Sequence, residues 1–156
     1  MAILYQTVDI SFPKIKRRET THWIKRMIAH HHKKQGDITY IFCSDAEILR
    51  INNTYLNHDY YTDIITFDYS EGDKISGDLF ISLQTVKTNS EKFKTDYIEE
   101  LQRVMIHGIL HLCGFEDKTS AGKKIMRAKE DEALELKNKT DLQLDFQSKT
   151  TSVIIY

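Results

Sequence analysis

Cysteine is scarce in this 156-residue chain: Cys43 and Cys113 are the only two. They are too few and too far apart for a disulfide scaffold or a four-sulfur zinc site, so both are read as reduced and packed. An excess of charge is also missing. Lysines and arginines number 22 and acids 23, a net charge of -1, which excludes the broadly basic surface of a protein whose main task is gripping nucleic acid. Any RNA contact then falls to local patches. No segment approaches the roughly 20 apolar residues of a spanning helix. The opening MAILYQTVDISF lacks the basic region and long apolar run of a leader. A cytoplasmic protein without membrane contact is expected. No internal repeat, low-complexity run or linker divides the chain.

What is present is an ordinary globular balance, 40% hydrophobic and 29% charged, in a chain of single-domain length. Ile3 to Phe12 alternates loosely and reads as a strand closed by Pro13. A helix follows, capped at Thr20 or Thr21, striped by Trp23, Ile24, Met27 and Ile28 and ended by Gly36. Ile38 to Cys43 predicts a second strand. Ser44 with Glu47 makes a capping box for a helix carrying Ile48, Ile51 and Tyr55. Ile64 to Tyr69 and Asp78 to Leu83 predict two strands joined as a hairpin across Ser70-Glu71-Gly72-Asp73. The pattern turns helical from Gln84, and Asp96 with Glu99 opens a long helix over Tyr97 to Cys113, stopped by Gly114. A last helix runs from about Ser120 to Lys137, with Ile125, Met126, Ala133, Leu134 and Leu136 offering apolar contacts and the rest a solvated face; periodicity is lost after Lys139. The fold class expected is α+β, a small mixed four-stranded sheet packed with about five helices, with a metal site on a central helix. Residues 1–139 form the domain, and 140–156 a C-terminal extension without an assigned role.

His107 and His111 stand four apart on the long helix, so both imidazoles project from one face within reach of one ion. Six residues on comes Asp117, beyond Gly114, where a left-handed turn can fold the chain back. Two imidazoles and one carboxylate leave a fourth tetrahedral position open, as a catalytic zinc site requires. A bare pair of histidines at this spacing is more often two hydrogen-bonded helix residues; the glycine and the following acids weigh against that. Glu116 is the rival third ligand, or a surface charge. Cys113 points away from the ion and reads as a small buried hydrophobe. Gly108, costing about 1 kcal/mol within a helix, implies close packing beside the site.

The segment His107-Gly108-Ile109-Leu110-His111-Leu112-Cys113-Gly114-Phe115-Glu116-Asp117 resembles HGxLHLxGYDH, the signature of the YbeY family of bacterial endoribonucleases that mature ribosomal RNA. Ile51-Asn52-Asn53-Thr54-Tyr55, then Asp59, then Thr62-Asp63-Ile64-Ile65-Thr66-Phe67 is similar to the family's LNxxYR, D, PTDVLSF run, and Gly77-Asp78-Leu79-Phe80-Ile81 to its GDIxI strand. The likeness extends from about residue 37 to 136, in the family's order. It implies a zinc-dependent endoribonuclease specific for single-stranded RNA, acting in 16S rRNA 3′-end maturation and ribosome quality control, with the small ribosomal subunit as partner. Two positions depart. Asp117 replaces the third histidine, which keeps an acceptable ligand but makes the centre one charge less positive, so a more alkaline activity optimum is expected. Leu56 stands where the family has an arginine facing the phosphate, and either a neighbour such as His58 takes that task or the chemistry is weakened.

Zinc would polarise a phosphate oxygen and acidify its water for phosphodiester hydrolysis. The glutamate that peptidases carry beside the first histidine is here Gly108, which disfavours a metallopeptidase. A ribosome-assembly module with a purely structural ion is the other alternative. For proton transfer or substrate orientation the candidates are His58, Asp63 and Glu116. Basic residues at Lys14 to Arg18, at Lys33-Lys34 and at Lys87, Lys92 and Lys94, with Tyr55, Tyr60 and Tyr61, are weak candidates for RNA contact. The run from His30 to Lys34 is better explained as cations complementing a helix C-terminus, and it can attract metal adventitiously.

Overall fold

The computed structural model describes the backbone of residues 2–57 and 62–154, and side chains up to residue 140. Chain order is β1 (Ile3–Val8), α1 (Arg17–His30), β2 (Lys34–Cys43), α2 (Asp45–Leu56), β3 (Ile64–Asp68), β4 (Lys74–Ser82), α3 (Leu83–Phe93), α4 (Tyr97–Leu112) and α5 (Ser120–Ile154). The sheet runs β1-β2-β4-β3. β1 and β4 pair parallel to β2, in registers that set Ile3 opposite Ile38 and Tyr40 opposite Leu79. β3 closes an antiparallel hairpin on β4, with Ile65 opposite Phe80. This is the α+β mixed four-stranded sheet with five helices that the sequence pattern predicts.

One sheet face carries the main core. Ile38, Tyr40, Phe42, Leu79 and Ile81 meet Trp23, Ile24 and Met27 of α1 and Leu101, Met105 and Ile109 of α4. The other face is covered by α2 through Cys43, Ile48, Ile51 and Ile65. Two polar atoms enter the core with partners: the Tyr40 hydroxyl donates to the Met105 carbonyl at 2.9 Å, and Trp23 Nε1 to the Ala133 carbonyl at 2.9 Å. α4 is the central helix, in contact with β3, β4, α1, α3 and α5.

Several boundaries differ from the sequence reading. β1 stops at Val8 because Asp9 takes a positive φ of 58°. α1 begins at Arg17 with no side-chain cap at Lys16, and Thr20 lies buried inside it. It ends at His30, well before Gly36: His32 is left-handed at φ 61°, and the amides of His32 and Lys33 close back on the carbonyls of Ala29 and Ile28. Gly36 belongs to β2, where a Cβ would meet the Ile75 carbonyl at 2.6 Å; it serves strand approach and not helix termination. β4 begins four residues earlier than expected, at Lys74. α5 does not stop near Lys137; its backbone is helical to Ile154. Its polar face is not wholly solvated either, since Glu130 is only 6% exposed and Lys137 is buried.

Candidate metal centre

Asp96 caps α4 by accepting from the Glu99 amide at 3.2 Å, which fixes the helix start and so the face that His107 and His111 share. The adjoining face is pressed on the sheet at Gly108, where a Cβ would lie 2.9 Å from Ile64 Cδ1 and 3.0 Å from Leu79 Cδ2. The expected close packing is therefore present. The helix ends with Gly114 at φ 102°, its amide returning to His111 and that of Phe115 to Leu110. Only a residue without Cβ takes this left-handed bend freely. The reversal carries Asp117 back over the helix end.

His107 Nε2 and His111 Nε2 are 3.0 Å apart, and the Asp117 carboxylate stands 3.4 Å from the first and 3.6 Å from the second. Bonds of about 2.0–2.1 Å to a tetrahedral ion place ligands about 3.3 Å apart, so the three donors have the spacing of one coordination triangle. His107 Nδ1 faces Glu130 Oε2 at 2.7 Å, and the Phe115 backbone hydrogen-bonds His111. With Nδ1 donating to the carboxylate, the Nε2 lone pair of His107 is turned toward the cluster. The donor set fits a borderline dication such as zinc.

Glu130 is itself anchored. Arg103 Nη1 reaches Glu130 Oε1 at 3.0 Å, Arg103 Nη2 reaches Asp131 at 2.7 Å, and Arg127 lies 3.8 Å from Glu130. Sequence reading missed Arg103 on α4, and missed Glu130 and Arg127 because the charges of α5 were assigned to a solvated face. A weak signal existed: Glu130 shares a helical stripe with Met126, Ala133 and Leu134, which are buried.

Asp63 precedes β3 and lines the same hollows as His107 and Asp117. Burial raises its pKa, against the pull of His107 and of two backbone amides. Burial also disfavours a charged His107, yet Glu130, Asp117 and Asp63 outweigh it and lift that pKa; His111, partly buried and beside His107, is held below the usual imidazole value. Glu116 is exposed and faces His111 from the rim. His58 lies outside the described residues. Leu56 ends α2, 42% exposed, next to Tyr55 at 65%. Both cysteines are free and buried, with burial pushing the Cys43 thiol to about 12 and that of Cys113 to about 11.

The cluster opens on a cleft of about 590 Å³ bounded by Thr62, Thr66, Asp68 and Glu116. On its other side lies a hollow of about 380 Å³ holding Asn89, Phe93, Glu100, Arg103 and Arg127. A larger hollow, about 690 Å³ between β1 and α1, is lined by Arg17, Arg18, His22 and Lys25 but by no carboxylate. It has no convergent chemistry, and Arg17 is already stacked 3.9 Å over Phe12.

Residues 6–138 match the family model described as Endoribonuclease YbeY. The chain belongs to the YbeY family. Three relatives carrying the name Endoribonuclease YbeY show the extent of the likeness. That of Bacteroides fragilis is 62% identical over 137 residues, covering 88% of this chain and 99% of the relative. That of Azobacteroides pseudotrichonymphae is 63% identical over 135 residues (86% and 97%), and that of Porphyromonas gingivalis 49% over 138 residues (88% and 91%). A Thermotoga maritima protein solved in solution superposes with a TM-score of 0.64 at 26% identity, over 92% of this chain and 93% of its own. In this YbeY-family chain no helix among the described residues is long and apolar enough to cross a membrane.

Proposed function

We propose that the chain is a zinc-dependent endoribonuclease specific for single-stranded RNA, acting in the cytoplasm on the 3′ end of 16S rRNA during small-subunit maturation and quality control. One observation carries the chemistry: in a chain of an endoribonuclease family, His107, His111 and Asp117 converge at the spacing of one ion on the wall of a polar cleft. A dication held there supplies Lewis acidity toward a phosphate oxygen and lowers the pKa of water.

The chain's own groups divide the remaining work. Glu130 and Arg103 hold His107 in the ring orientation that presents Nε2. Asp63, partly buried beside His107, holds a proton more readily than a solvated aspartate and serves as the acid–base group at the cleft wall. Glu116 orients substrate or water at the rim, and His58 is assigned a supporting role from sequence alone. Arg127, exposed in the hollow that shares His107, is placed to meet the phosphate in the absence of an arginine at Leu56.

Cleavage of a defined single-stranded RNA oligonucleotide by zinc-loaded protein tests the reading. His111→Ala is expected to reduce cleavage to background while far-UV circular dichroism stays unchanged. Retained cleavage would refute the assigned chemistry. Zinc binding and folding without any cleavage in the wild type would favour a ribosome-assembly module braced by its metal, a reading that Leu56 supports.

A further inference from the structure

A second set of metal-type donors lies outside the cleft. One ligand atom from each of His30, His31 and Glu132 falls within 4.8 Å of the other two. His30 Nε2 already faces Glu132 Oε1 at 2.8 Å, and the two imidazoles stand edge to face with centroids 5.0 Å apart. Among the described residues, His31 Nε2 is a buried polar atom with no hydrogen-bond partner. Buried ring nitrogens are normally paired, because desolvation of an unpaired one opposes folding.

We propose that His30, His31 and Glu132 form a second site, for a transition-metal dication, which fastens the end of α1 to α5. The elements argue for a cation at this place. His30 closes the last turn of α1 and His31 is its C-cap, where the helix dipole favours positive charge. Glu132 reaches across from α5 with the one carboxylate of the set. Lys129 and His32 also face this spot, while Lys33 is turned to Asp73 at 3.7 Å. The positive charge of Lys129 weakens purely electrostatic binding and disfavours magnesium or calcium. An imidazole-rich set selects zinc, nickel or copper(II), which form strong bonds to nitrogen.

The site has a mechanical connection to the first one. The His31 ring packs edge to face on Phe115 at 5.2 Å, and Phe115 closes the bend after α4, two residues before Asp117. An ion on His31 would stiffen the support of that bend. The inference does not rest on ribonuclease activity, and its failure would leave the cleft assignment intact.

The test counts zinc equivalents on the untagged full-length chain by native mass spectrometry and equilibrium dialysis. The wild type is expected to bind two. Glu132→Gln and His31→Ala should each bind one, and His107→Ala one, with the double variant His107→Ala/Glu132→Gln binding none. Adding zinc should still raise the thermal midpoint of His107→Ala, but not that of the double variant. Should His31→Ala fail to fold, the partly exposed Glu132→Gln and His30→Gln give the same reading. A single equivalent in the wild type that disappears with His107→Ala, or two equivalents surviving in Glu132→Gln, would overturn the proposal.

Discussion

Among the described residues, two clusters contain two histidines and a carboxylate within ligand distance, and they differ in the surroundings that catalysis needs. His107, His111 and Asp117 sit between two hollows, beside the partly buried Asp63, with Glu130 and Arg103 fixing one imidazole from behind. The other cluster lies at the end of α1, His30 largely exposed, with no buried carboxylate supporting either ring from outside the triad among the described residues. Donor spacing is therefore enough to suggest metal binding, whereas acid–base groups, an anchored supporting shell and a cleft distinguish a reactive centre from a brace.

Removing the features peculiar to the first cluster should erase the difference step by step. The largest effect is expected from Asp63→Asn, which should lower RNA cleavage about 100-fold or more while zinc stoichiometry is unchanged. It also carries a stability signature. Because burial raises the Asp63 pKa, its contribution to stability is full below the ordinary carboxylate value of 3.8 and is lost as pH rises through the folded value. The charged form thus opposes folding at neutral pH, and Asp63→Asn should raise the thermal midpoint more at pH 8 than at pH 4. A midpoint lowered at pH 8 would contradict the assigned environment.

Next comes Glu130→Gln, which makes the first cluster resemble the second by weakening its anchor; zinc affinity there should fall about 10–100-fold in competition with a chelating dye. Gly108→Ala acts on the same cluster through packing. The methyls of Ile64 and Leu79 it would meet are the far ends of side chains that can turn. A helix-propensity gain of about 1 kcal/mol then opposes a packing cost of about 1–3 kcal/mol. A modest loss in denaturant midpoint is expected, with weakened zinc binding at the cleft and unaltered binding at His30 and His31. The smallest effect is expected from Asp117→His. Replacing the anionic carboxylate by a neutral imidazole makes the centre one charge more positive and should move the pH–rate profile toward acid, and identical profiles would count against the charge argument.

How much of this was legible beforehand follows from how local each signal is. The α4 dyad, its Asp96 cap and the Gly114 reversal are all encoded within about 20 consecutive residues, and helical periodicity alone brings them together. The hairpin and the Ser44 cap, which accepts from the Glu47 amide at 3.2 Å, were legible for the same reason. Gly36 misled because a glycine after a basic helical turn signals termination, whereas the helix closes on His32 and the glycine serves a strand neighbour 39 residues away at Ile75. Glu130 and Arg103 were missed because their meaning depends on α5 crossing α4, a tertiary event that leaves charged residues looking solvated in one dimension.

The most direct measurement is an anomalous difference map from crystals of zinc-loaded protein, recorded on both sides of the metal edge. The account predicts a peak within about 2.0–2.2 Å of His107 Nε2, His111 Nε2 and an Asp117 carboxylate oxygen. A map without a peak there, and with Asp117 directed into solvent, would contradict it.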